Sequence, residues 1–153
     1  MRAVVTRVSH TSVTIGGQVN GQIGQGFLVL LGVGPHDTHD TAVKLADKIC
    51  NLRVFEDENG KMNKALADIG GSMMVVSNFT LYADCSHGRR PDFFHAAKPD
   101  IAIPVYEHFL SEVKSRGIPM ICGKFGADMA IDRVNDGPVT IIMDTDQMMK
   151  KGV

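Results

Sequence analysis

No apolar run in this 153-residue chain is long enough to cross a bilayer; the longest, Phe27-Leu28-Val29-Leu30-Leu31, has the length of a strand. Met1-Arg2-Ala3 leads into an alternating pattern rather than an apolar leader, so a cytoplasmic location is expected. Cysteine is scarce as well. Cys50, Cys85 and Cys122 are odd in number, far apart and without a CxxC or a histidine at ligand spacing, which excludes a disulfide framework and reads as reduced thiols. The 6 histidines form no HExxH pair, so no metal is expected. Charge of one sign is missing too: 16 Lys and Arg against 17 Asp and Glu leave −1. Broad binding to a phosphate backbone is therefore unsupported, and a nucleic-acid partner would have to be gripped locally, by a few basic residues near a pocket. Repeats, low-complexity tracts and linkers are absent.

What is present suits one domain over residues 1–153, with 44% hydrophobic and 22% charged residues and enough chain to bury a core unaided. Ala3–Ser9, Thr11–Ile15 and Gln18–Ile23 alternate around a Gly16-Gly17 turn, as an antiparallel meander does. Phe27–Val33 is apolar on both faces, which predicts a central buried strand stopped by Gly34-Pro35. A helix follows, capped by Thr38 or Asp40, with Ala42, Leu45, Ala46 and Ile49 on one face. Arg53–Phe55 is short and extended, and Asp57-Glu58-Asn59-Gly60 is a turn.

A second buried strand, Ser72–Val76, runs into Ser77-Asn78-Phe79-Thr80-Leu81, and Gly88–Ala97 reads as a loop. A second amphipathic helix is predicted over Pro104–Arg116, with Pro104 in its first turn and Tyr106, Phe109, Leu110 and Val113 inward. Met129–Val134 and Val139–Met143 read as two strands joined by Asn135-Asp136-Gly137-Pro138, and the polar tail after Asp144 as frayed. The fold class is α+β: a mostly antiparallel, barrel-like curved sheet with two main helices.

Two segments carry chemistry. Ser77-Asn78-Phe79-Thr80 puts two hydroxyls and an amide at the end of a buried strand, where main-chain N–H groups can face a ligand or where the side chains can serve local turns. Asn135-Asp136-Gly137-Pro138-Val139-Thr140 fits an ordinary hairpin turn, or a rigid bend that projects carbonyl oxygens with no Cβ on the glycine to hold a group away. Gly32-Val33-Gly34 lacks the third glycine and the Lys-Ser/Thr of a phosphate loop, and reads as a strand end.

Together the two segments resemble the SQFTL and NxGP(V/F)T signatures of the D-aminoacyl-tRNA deacylase family. Arg53-Val54-Phe55, Gly60-Lys61-Met62-Asn63, Gly88-Arg89-Arg90-Pro91, Ala96-Ala97, Tyr106 and the block from Gly123 to Met129 are similar to that family in order and spacing, as are Met1–Val5 and Arg7-Val8. The resemblance covers nearly the whole chain. One position departs from it: residue 78 is Asn where the pattern has Gln, so the amide is kept with a shorter reach.

The resemblance implies a homodimer that acts on the aminoacyl-tRNA 3′ end, with neither cofactor nor membrane. It implies hydrolysis of D-aminoacyl-tRNA, and of glycyl-tRNA, as chiral proofreading. Catalysis is assigned to Ser77, Asn78 and Thr80; substrate binding to Phe79, Ala102, Phe125 and Met129; the filter that rejects L-aminoacyl groups to a Gly137-cis-Pro138 bend from the partner subunit. Arg7 supports that bend and Asn135 lies beside it. Arg89, Arg90 and Lys124 are placed to meet tRNA phosphates. For the chemical step two schemes stand, a Thr80 nucleophile and a water held by backbone donors with help from the ribose 2′-hydroxyl. Two other readings of the fold are a non-catalytic nucleic-acid-binding dimer, disfavoured by the near-neutral charge, and an editing domain of threonyl-tRNA synthetase, disfavoured by the Gly-Pro signature.

Overall fold

The computed structural model describes residues 1–150. Its backbone is organised by one long strand, β1 (Arg2–Ile15), flanked on both sides. On one side β3 (Gly26–Gly32) pairs antiparallel with Arg2–Val8 and β2 (Gln18–Ile23) with Thr11–Ile15. On the other side lies β8 (Ala130–Asp144). Beyond β3 the sheet continues with β6 (Ser72–Ser77) and β7 (Met120–Cys122), both added in parallel. The curl brings β2 toward β7, where Asn20 Nδ2 donates to the Cys122 carbonyl at 3.2 Å and the barrel nearly closes. The α+β, mostly antiparallel barrel-like expectation holds.

Parallel neighbours need crossovers, and the two helices supply them. Helix α1 (His39–Cys50) lies between β3 and β6, and α2 (Pro99–Ser115) between β6 and β7. Thr38 rather than Asp40 caps α1: its hydroxyl accepts the Thr41 N–H while the Thr41 hydroxyl accepts the Thr38 N–H. A small ribbon, β4 (Phe55–Glu56) with β5 (Met62–Lys64), frames the Asp57–Gly60 turn.

The apolar strands make sense through their two faces. Phe27, Val29 and Leu31 of β3, with Met73 and Val75 of β6, pack into the core beneath α1 and α2 against Leu45, Ile49 and Phe109. Leu28, Met74 and Val76 point the other way, into a second cluster with Val8, Val13 and Ile23 inside the curl. A strand with a core on each side cannot alternate with polar residues.

Three expectations are corrected. Helix α2 starts at Pro99, which takes the first-turn position, while Pro104 is inside the helix. Pro104 is tolerated because it is exposed, so the Asp100 carbonyl it leaves without an amide donor can be solvated. The stretches before and after Gly137-Pro138 are not a hairpin: both pair with β1, as one strand. Between Thr6↔Thr140 and Val8↔Asn135 the register breaks, and Asp136–Val139 bulge from the ladder. Finally, the tail forms α3 (Thr145–Lys150), tied to the barrel by the Thr145 N–H and hydroxyl on the Met1 carbonyl at 2.9 and 3.2 Å. Residues 151–153 of the expected frayed tail lie outside the described residues.

Candidate active site

Strand β6 emerges from between the two cores at Ser77, and the Asn78 N–H makes the next bond, to the Leu31 carbonyl at 2.8 Å. The chain then turns instead of continuing as a strand. Asn78 caps a 3-10 turn over Phe79–Tyr82: its Oδ1 accepts the Thr80 N–H at 3.3 Å and the Thr80 hydroxyl. A short amide reaches its own backbone easily, so asparagine at this position serves the turn. Among the described residues the Phe79 N–H finds no acceptor within the chain, which leaves it as the main-chain donor at the strand end.

Ser77, Asn78 and Phe79 form one wall of an open cleft of about 380 Å³. Ala102 of α2 and, from the segment between β7 and β8, Phe125 and Met129 also line it. Phe125 leans on Tyr106, ring centroids 5.6 Å apart. Met129 folds close over Gly123, where an added Cβ would come within 2.3 Å of its sulfur. Burial, and to a smaller extent Cys122, pushes the Tyr106 hydroxyl up, so it stays protonated and donates to the Val75 carbonyl at 3.5 Å. Side chains distant in sequence are thus fixed around one apolar space.

Sequence reasoning passed over Asp128, whose side chain is the ionisable one in the cleft lining. Its signal was available, an acidic residue between Phe125 and Met129. Thr80 stands apart from the expected set: it is exposed, outside the cleft lining, with its hydroxyl committed to Asn78.

Gly137 and Pro138 do not line this chain's cleft. They sit exposed on the β8 bulge beside Asn135, and the peptide bond between them is cis. Arg7 is 5% exposed on the doubly flanked β1, and it braces the bulge of its own chain. Its guanidinium donates to the Val54 carbonyl at 2.7 Å and the Asp136 carbonyl at 3.3 Å, and pairs with the Asp136 carboxylate at 3.2 Å and Glu56 at 3.7 Å. A forked cation with several acceptors is suited to holding a main-chain bend in place.

Comparison with known proteins adds the family. The family described as D-Tyr-tRNA(Tyr) deacylase matches residues 4–144. A D-aminoacyl-tRNA deacylase of Thermus aquaticus is 54% identical over 147 residues, 96% of this chain and 97% of that one. One of Geobacillus sp. (strain WCH70) is 50% identical over 145 residues, 95% of each chain. Among solved structures, one titled c-Myc DNA Unwinding Element Binding Protein superposes with a TM-score of 0.89 at 42% identity, covering 94% of this chain and 98% of that one. A probable eukaryotic D-amino acid tRNA deacylase, at 15% identity and a TM-score of 0.81 over 94% of this chain and 98% of its own, shares the fold. With the family matched across both signature segments and nearly all of β1 to β8, the chain belongs to the D-Tyr-tRNA(Tyr) deacylase family.

Proposed function

We propose that this protein hydrolyses the ester joining a D-amino acid to the 3′ end of tRNA, as a cytoplasmic homodimer. The observation that carries the reading is the gathering of Ser77, Asn78, Phe79, Ala102, Phe125 and Met129 around one cleft in a chain of this family. In the chemical step a water oxygen bonds to the ester carbonyl carbon, and the negative charge that develops on the carbonyl oxygen is met by the Phe79 N–H. The bond from that carbon to the ribose 3′ oxygen then breaks. The proton lost by the water passes to the 3′ oxygen by way of the neighbouring 2′-hydroxyl, and free D-amino acid and tRNA leave.

A water nucleophile is favoured over Thr80 because that hydroxyl donates to Asn78 and lies outside the cleft lining. Thr80→Ala is accordingly expected to keep kcat/KM for D-tyrosyl-tRNA within about threefold of wild type. Capture of an acyl ester on Thr80 during turnover would overturn the water scheme.

Chirality enters through the second subunit. The exposed Gly137-Pro138 bulge of one protomer is proposed to enter the partner's cleft, where its carbonyl oxygens stand in the path of an L side chain and leave a D side chain free. Support comes from its position away from its own cleft and from the buried Arg7 behind it. Glycine has no side chain to exclude. Glycyl-tRNA is therefore expected to be cleaved at least about tenfold faster than L-alanyl-tRNA, the scale that a single methyl group supports. Equal resistance of the two would sink the exclusion mechanism.

The solved structure named for binding a DNA unwinding element keeps a pure binding role in view. Release of D-tyrosine from D-tyrosyl-tRNA with the protein far below substrate concentration separates the two, since a binder cannot turn over.

A further inference from the structure

Beside the cleft the chain displays phenylalanine rings that the core does not use. Phe79, a cleft-lining residue, is 57% exposed and meets Phe93 edge to face at 5.1 Å; Phe94, next in sequence, is 83% exposed and meets His95 the same way at 5.7 Å. The loop that carries them is pinned. Asp84 and Asp92 exchange both backbone hydrogen bonds at 2.7 and 2.9 Å, and the Asp92 carboxylate accepts the Phe94 N–H at 2.6 Å. The Ala96 N–H donates to the Phe93 carbonyl at 3.1 Å, and the Ala97 N–H returns to the Val33 carbonyl at 2.9 Å, at the cleft wall. Arg89 and Arg90 lie exposed on the same loop.

Exposed rings held in fixed positions, with cations near them, are what single-stranded nucleic acid needs: faces on which bases stack and charge for the backbone between them. The rings also continue the cleft wall, because Phe79 belongs to both. We infer that the Asp84–Ala97 loop is a stacking platform for the unpaired bases that precede the ester-bearing nucleotide, with Phe94 as its outermost ring. This inference rests on the proposed reaction for the identity of the strand. It extends recognition from the terminal nucleotide to those before it.

The test compares D-tyrosyl-tRNA with the D-tyrosyl ester of adenosine, which has no preceding bases, for wild type, Phe94→Ala and Phe94→Trp. Phe94→Ala is expected to lower kcat/KM on the tRNA roughly 5- to 100-fold, through KM, while leaving the adenosine ester unchanged; Phe94→Trp restores the loss. The same variant is expected to weaken binding of an uncharged single-stranded oligoribonucleotide by a similar factor. Unchanged rates on both substrates, or equal losses on both, would overturn the platform. So would dissociation of Phe94→Ala dimers in sedimentation, which would give the ring to a subunit contact. Failure of the wild type on both esters strikes the proposed reaction instead, and the oligoribonucleotide arm then decides the platform separately.

Discussion

Replacing Gly26 with alanine is expected to abolish soluble protein. Gly26 opens β3 opposite Ser72 of β6, and a Cβ placed there would lie 1.8 Å from the Ser72 carbonyl oxygen, 2.8 Å from its carbon and 2.9 Å from the Ser72 nitrogen. All three atoms are main chain, so no rotamer change relieves the collision. The two strands must separate at the start of their parallel ladder, and that ladder divides the two cores. A loss above about 4 kcal/mol is expected, comparable with the whole stability of a domain of this size. Gly16→Ala is the control: a Cβ there meets nothing within 4 Å, and its φ of +58° costs an alanine only about 1 kcal/mol. Soluble yield and urea midpoints compare the two. A Gly26→Ala protein with a wild-type midpoint would contradict the β3–β6 packing.

The parts of the fold readable in the sequence were those with a single local cause. Thr38, Leu45 and Ile49 declare α1 because a cap and one apolar stripe suffice. Phe27–Leu31 declares a buried strand because both faces meet a core. Illegible parts depend on partners remote in sequence. Met120–Cys122 is three residues long, and only the neighbouring Met73–Val75 makes it a strand. β8 looks interrupted at Gly137-Pro138 because local turn chemistry is strong there, yet β1 pairs on both sides of the break and keeps one strand running through it. Pro104 invites a late start for α2, while Ala102, in the part that extends the helix back to Pro99, is buried by tertiary contacts.

The site shows the same division. Ser77 to Phe79 stood out as polar and aromatic residues ending a buried strand, and they do line the cleft. Ala102, Phe125 and Met129 have side chains that would serve a core equally well, so only resemblance to relatives marked them. Asp128, an exposed aspartate in a loop, has no periodic signature, and the burial of Arg7 depends on the bulge across the ladder. Thr80 drew attention as a hydroxyl, but the shorter Asn78 amide engages it locally.

Gly137→Ala is expected to lower kcat/KM for D-aminoacyl-tRNA by on the order of 100-fold while leaving the proposed dimer folded, the scale of loss that follows when a site group moves by about 1 Å. An alanine Cβ would lie 2.8 Å from the Val139 nitrogen, 3.0 Å from Val139 Cγ2 and 3.3 Å from an Arg7 guanidinium nitrogen. The φ of +128° is also one that an L side chain rarely adopts. The bulge must therefore open, moving its carbonyl oxygens off the position that Arg7 holds and, in the proposed dimer, into the space that a D substrate occupies. Because it is exposed, the stability cost stays near about 1–3 kcal/mol. Mixing tests whether the segment works in the partner's cleft. Ala127→Trp fills the cleft from a loop and is expected to be inactive by itself. In mixed dimers with Gly137→Ala, one site combines an unaltered cleft with an unaltered bend, so roughly a quarter of wild-type activity is expected to return, half the dimers being mixed with one good site of two. If each cleft used its own bend, no mixed dimer would contain an intact site, and activity would stay at the level of the separate variants.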